Sequence, residues 1–214
     1  MSHHFGLWLA MLAVLGGCSG SLLPKPPSAP ARYTLDGAAH SAATAQRDPA
    51  TAPRLPAAGA PALVVSVPRA APGFDSARMV YLRRPQELEA FAFHEWVAAP
   101  AQMLAPLIVR SLQDGGAFRA VLLAPSSGTG PLRLETELIR LQHDFTARPS
   151  HVRLTLRVVL LASATRQILA WREFDESVPA ASDDAPGGAA AAHQATQRVL
   201  AALASFCAEQ VLGR

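Results

Sequence analysis

Cysteine is scarce in this chain, and its two cysteines, Cys18 and Cys207, sit at opposite ends. If Cys18 is consumed by other chemistry, no internal disulfide is available and the fold must stand on its core. Half of the residues are apolar, enough for a domain of about 150 residues to do so. Charge of one sign is scarce too. Nineteen Lys and Arg offset 16 Asp and Glu, and the densest basic cluster is the pair Arg83-Arg84. So small and dispersed a surplus does not form a nucleic-acid footprint. No G-x-S-x-G turn occurs, which removes the nucleophile elbow of a hydrolase. The apolar run from Phe5 to Leu15 is short of the roughly 20 residues that span a bilayer as a helix.

That short run has the length of a signal-peptide core, and small residues follow it at once. Leu15-Gly16-Gly17-Cys18 resembles a bacterial lipobox, in which a signal peptidase cuts before a cysteine that becomes lipidated. On this reading residues 1–17 are a lipoprotein signal peptide and Cys18 is the lipid anchor, carrying acyl chains, palmitate among them. An ordinary secretory signal with a coincidental cysteine is the alternative. Several acyl chains hold a protein on its membrane, since stable anchoring takes at least two lipid signals.

Residues 18–61 read as the lipidated N-terminus and a Pro/Ala-rich linker. Ser19–Pro30 holds four prolines, and Ala38–Pro61 is mostly Ala, Pro, Gly and Thr. Such composition buries too little surface to offset the entropy of ordering. Its roughly 40 residues reach up to about 3.1 Å each where proline-rich. Between the two stretches, residues 32–36 have strand chemistry and read as an edge strand docked onto the domain.

Residues 62–214 read as a single α+β domain. Strands are expected at Leu63–Val67, Arg78–Arg83, Glu87–Phe93 and Phe118–Leu123. A helix opens near Pro100, with Leu104, Leu107, Ile108 and Leu112 on one stripe; Pro106 inside it marks either the true start or a kink. Leu132–Phe145, His151–Ala162 and Gln167–Val178 have short connections and make an antiparallel meander. After an Asp-Asp-Ala-Pro-Gly-Gly loop, an alanine-rich helix runs from about Ala189 to Leu212 with a continuous apolar face. The expected architecture is a mixed, largely antiparallel sheet with two amphipathic helices on one face.

Two stretches of the meander break the alternation of a half-solvated sheet: Leu138-Ile-Arg-Leu141 and Val158-Val-Leu-Leu161. Two-sided apolar runs mark strands covered on both faces, which points to a partner or a second subunit; a β-bulge that changes the phase is the alternative.

Few residues suggest chemistry. His143 and His151 flank the hairpin loop and could face each other, but the further ligands of a zinc site are missing. Glu135 and Glu137 share a strand face as solvated charges. Ser126–Gly130 resembles a phosphate loop only in composition, lacking its lysine and the following helix. No catalysis, cofactor or metal is expected. Cys207 reads as a small buried hydrophobe. Trp96, where a strand hands over to the first helix, is either a core anchor or a partly exposed contact to a protein partner.

Taken in order, the lipobox, Arg32-Tyr33-Thr34-Leu35, Val64–Val67, Phe74-Asp75 with Arg78–Tyr81, Glu95–Pro100 and the helix to Phe118 resemble the ABC-type transport auxiliary lipoproteins. That family includes the lipoprotein of the paraquat-inducible operon. The resemblance implies a non-enzymatic accessory of an ABC/MCE-type intermembrane lipid transport system. Its partners would be a mammalian-cell-entry (MCE) domain protein and the associated ABC transporter, with a homo-oligomer also compatible. It implies an outer-membrane lipoprotein facing the periplasm, and Ser19 after the cysteine is similar to outer-membrane sorting signals. The alternative function is an envelope scaffold lipoprotein regulating a cell-wall synthase.

Overall fold

The computed structural model describes residues 29–36, 56 and 59–213. Within them the order is β1 (Ala31–Tyr33), β2 (Ala62–Val65), β3 (Arg69–Ala70), β4 (Arg78–Arg84), β5 (Glu87–Trp96) and α1 (Pro100–Asp114). There follow β6 (Ala120–Leu123), β7 (Leu132–Asp144), β8 (His151–Ala162), β9 (Ile168–Pro179) and α2 (Ala185–Leu212). The fold is α+β, a mixed open sheet with two helices.

The sheet is built on β7. Along one edge β7 pairs with β8 over its whole length, antiparallel, and β8 pairs likewise with β9. The other edge of β7 takes three parallel partners in succession: β2 beside Leu132–Leu134, β3 beside Glu137 and Leu138, and β4 beside His143 and Asp144. From these, β6 extends the β2 arm, while β5 and then β1 extend the β4 arm. Parallel partners cover each other's backbone and require crossovers, and α1 provides one between the two arms. All four residues of β2 are buried, as expected of a strand paired on both edges and covered on both faces.

The two breaks in alternation have different causes. In β7 the register slips between Leu138 and Arg140, so that β7 holds one residue more than β8. This bulge turns Leu141 and His143 inward, in line with Leu134 and Leu138 before it. In β8 the alternation continues: Val158 and Leu160 point inward, Val159 and Leu161 to the outer face. The second slip puts its extra residue in β9. The apolar run in β8 therefore marks apolar residues on the outer face rather than a change of phase.

The helix α1 starts at Pro100, in its first turn, and continues through Pro106, so Pro106 is internal. Gly115 and Gly116 end it, and Gly116 takes φ +69°, which suits glycine. The second helix begins four residues before the sequence expectation. Asp184 caps it, its Oδ1 accepting from the Gly187 N–H at 2.8 Å, and Pro186 lies in the first turn, where its missing N–H costs nothing. The Pro-Gly-Gly that reads as a loop is thus helical. Gly188 is required there by packing, because a methyl at this position would collide with the His143 ring.

The core lies between the inner sheet face and the helices. Ala191, Ala192 and Ala195 let α2 approach β8 and β9 closely, and Val199, Leu203, Phe206 and Cys207 fill its other end. Leu203 is wholly buried, so Leu203→Ala should cost about 2–5 kcal/mol in chemical denaturation, with the native circular dichroism spectrum unchanged.

Candidate docking surface

Polar chemistry in the interior centres on His143. Its Nε2 lies 2.8 Å from Ser150 Oγ, and the Ser150 N–H donates to Asp183 Oδ1 at 3.2 Å. Serine, imidazole and carboxylate are thus adjacent, but in the wrong order for nucleophilic catalysis. The carboxylate holds the serine, His143 Nδ1 has no hydrogen-bond partner, and Ser150 is 1% exposed. The group ties the β7–β8 loop to the start of α2. Burial pushes the His143 pKa below the ordinary histidine value, partly opposed by Asp183, Asp184 and Asp144.

His151 does not join His143. Asp144 is the register partner of His151, one residue beyond His143, so the two imidazoles lie on opposite faces. No group of three or more metal-ligating side chains occurs among the described residues. Glu135 and Glu137 are ion-paired on the outer face, to Arg166 and Arg157 respectively, each at 3.5 Å. Cys207 is buried in α2 and its thiol is pushed up to about 12 by desolvation, which makes it inert. Residues 126–130 form part of the connection from β6 to β7, where Gly128 and Gly130 pack against Leu122 and Ala62.

Trp96 is 4% exposed and belongs to the core, so its ring offers no surface to a partner. Among the described residues the exposed tryptophan is Trp171, at 65%, with Ile168 beside it at 60%. Both stand on the outer face of β9, opposite Val159 and Leu161 of β8. Among the described residues only β8 pairs with β9, so within them the far edge of this 12-residue strand is open. Long open edges are templates for added strands.

Beyond this apolar corner the outer face is charged. Arg157 bridges Glu137 and Glu173, and Arg153 meets Asp175 through Nε and Nη2. Asp175 also accepts from Thr155 Oγ1 at 2.7 Å. The Arg153 guanidinium, with Thr155, holds the Asp175 carboxyl down at about 2. These exposed pairs contribute little stability, about 0–1 kcal/mol each; they fix side-chain positions around the tryptophan.

Residues 31–36 are built into the domain. β1 lies parallel to β5, Leu35 is 1% exposed, and His193 Nδ1 donates to the Leu35 carbonyl at 2.7 Å. Cys18 and residues 1–17 lie outside the described residues. Docking at Ala31 shortens the link to Cys18 to residues 19–30, which span at most about 45 Å, well below the reach of the full 18–61 segment. Among the described residues no helix is long and apolar enough to cross a membrane.

The sequence matches the family described as ABC-type transport auxiliary lipoprotein component over residues 33–204, and the chain belongs to that family. Protein XCC0632 from Xanthomonas campestris, of the DUF330 family, is 27% identical with a TM-score of 0.64, covering 73% of this chain and 90% of its own. A second solved structure, of an uncharacterized protein, shares the fold at 13% identity and a TM-score of 0.62, covering 84% of this chain and 99% of its own. A comparison with curated proteins returned no match.

Trp96 and Trp171 should separate in mutagenesis. Trp96→Ala should cost about 3–5 kcal/mol, whereas Trp171→Ser should stay within about 0.5 kcal/mol of wild type, by denaturant melts. The lowered His143 pKa has its own signature. Below the unfolded value of about 6.5 the unfolded chain takes up the proton first. Stability should therefore be full above that pH and fall as the pH drops towards 5, and His143→Gln should show a smaller fall over the same range.

Proposed function

We propose that this chain is a non-enzymatic accessory of an ABC/MCE-type intermembrane lipid transport system. Lipidated Cys18 holds it to the outer membrane, with the domain facing the periplasm. The family match over most of the chain supports this reading most strongly. The exposed Trp171 and Ile168 corner beside the open β9 edge supports it further, because a protein that acts by contact needs such a surface. Aromatic anchors of this kind carry much of the energy of protein contacts.

In this reading the protein performs no chemistry. Cys18 fixes one end to a membrane, and the link through residues 19–30 limits how far the domain stands from it. The outer face of β8 and β9 receives the MCE-domain protein or its ABC transporter, and a second copy of the chain is the other occupant the open edge would accept.

The test is recovery of partners from native membranes in mild detergent through a C-terminal tag, with a Cys18→Ala strain alongside. The expected result is co-purification of an MCE-domain protein or an ABC transporter, reduced at least tenfold in Cys18→Ala. Recovery of a cell-wall synthase in their place would replace the transport reading with that of an envelope scaffold.

A further inference from the structure

The helix α1 carries more apolar surface than the core uses. Its inner stripe, Leu104, Ala105, Ile108 and Leu112, is buried. A second stripe, Met103, Pro106, Leu107 and Arg110, has the i, i+3, i+4, i+7 spacing of one helix face. It is left partly exposed. This second stripe forms one wall of a cavity of about 300 Å³, whose other wall is the segment Thr34–Asp36 with Val97.

The cavity is sited and lined like a ligand site. Its walls are mainly apolar, with Thr34, Asp36 and Arg110 as the polar exceptions, and its volume falls at the lower end of the roughly 300–1,000 Å³ of small-molecule pockets. At about 30 Å³ per water, and with a methylene of similar bulk, it takes one alkyl chain of about ten carbons. Two chains do not fit. The wall is fixed before any ligand arrives, because the Leu35 side chain is buried in the core and its carbonyl is held by His193. Preorganisation of this kind favours binding, while Met103 supplies a side chain that adapts to an irregular occupant.

The charged groups at the cavity differ in their commitments. Arg110 is half exposed, and its ion pair with Asp114 is long, at 3.9 Å, so its guanidinium can turn to a new anion. Asp36 already has an interaction of its own. Apolar walls with one loosely held cation match an amphiphile rather than a neutral hydrocarbon.

We propose that the groove between α1 and Thr34–Asp36 binds a single-chain amphiphile, its alkyl chain along Val97, Met103 and Leu107 and its anionic head at Arg110. The inference deepens the lipid-transport reading and rests on it for the source of the ligand. The titration below, however, succeeds or fails whatever partners are recovered from membranes.

The test uses the full chain with Cys18→Ala, which has no acyl chains of its own to compete for the groove. Octanoate, decanoate, decanol and decyl phosphate are titrated by calorimetry below their micelle concentrations. Affinity should rise about fourfold per methylene and level off near the length that fills the cavity. Arg110→Gln should weaken decanoate and decyl phosphate about tenfold and leave decanol unchanged; the two anions together show whether carboxylate or phosphate is preferred. Leu107→Trp should abolish binding by filling the groove. Val97→Trp should do the same from the opposite wall and covers the case in which the helix variant fails to fold. Binding that ignores chain length, or survives both filling variants in folded protein, overturns the proposal. So does a groove whose filling leaves alkyl binding intact but stops recovery of a transporter component, which would assign it to a protein.

Discussion

Backbone pairing along both edges of β7 is the constraint on which the rest of the structure depends. A strand of 13 residues in the middle of a sheet must satisfy its N–H and C=O groups on each side. On one side β8 does this alone; on the other β2, β3 and β4 divide the length among them. This division explains the two arms of the sheet and the position of α1, which carries the chain from the β5 arm to β6. It also explains the bulge at Leu138–Arg140. Without the extra residue, Leu141 would face solvent and His143 could not reach Ser150 or pack beneath Gly188.

Much of this was legible from residue order, and the failures have physical causes. The meander declares itself by alternation and short turns. The parallel pairings do not, because they join segments far apart in sequence and leave no local mark. The start of α2 is hidden by Pro186-Gly187-Gly188, residues that read as a turn unless Asp184 is recognised as the cap. The break at Leu138–Leu141 and the run at Val158–Leu161 look alike in sequence, yet one is a bulge and the other an apolar corner on the outer face.

Trp96 and Trp171 show the same limit at the candidate site. Trp96 attracts attention at a strand–helix junction, but Tyr33 of β1 pairs beside it and it lies in the core. Trp171 was missed although a signal was present. It shares its parity in β9 with Glu173, Asp175 and Ser177, so it sits on the polar face of the strand, where a large aromatic has no packing role. The second stripe of α1 was likewise visible in the spacing of Met103, Leu107 and Arg110, but not the segment that turns it into a cavity.

The chain combines membership of a lipoprotein family, a β1 segment held to the domain by Leu35 and His193, and an exposed apolar corner at Trp171. The proposed meeting point with a transport partner is the outer face of β9. The most direct measurement is site-specific photocrosslinking in native membranes, with a photoreactive residue in place of Trp171 and, as control, of Gln197 on the exposed side of α2. Adducts with an MCE-domain or ABC transporter component are expected from position 171 and none from position 197. Adducts from 197 alone would contradict the proposed contact at β9 and move it to the helical side.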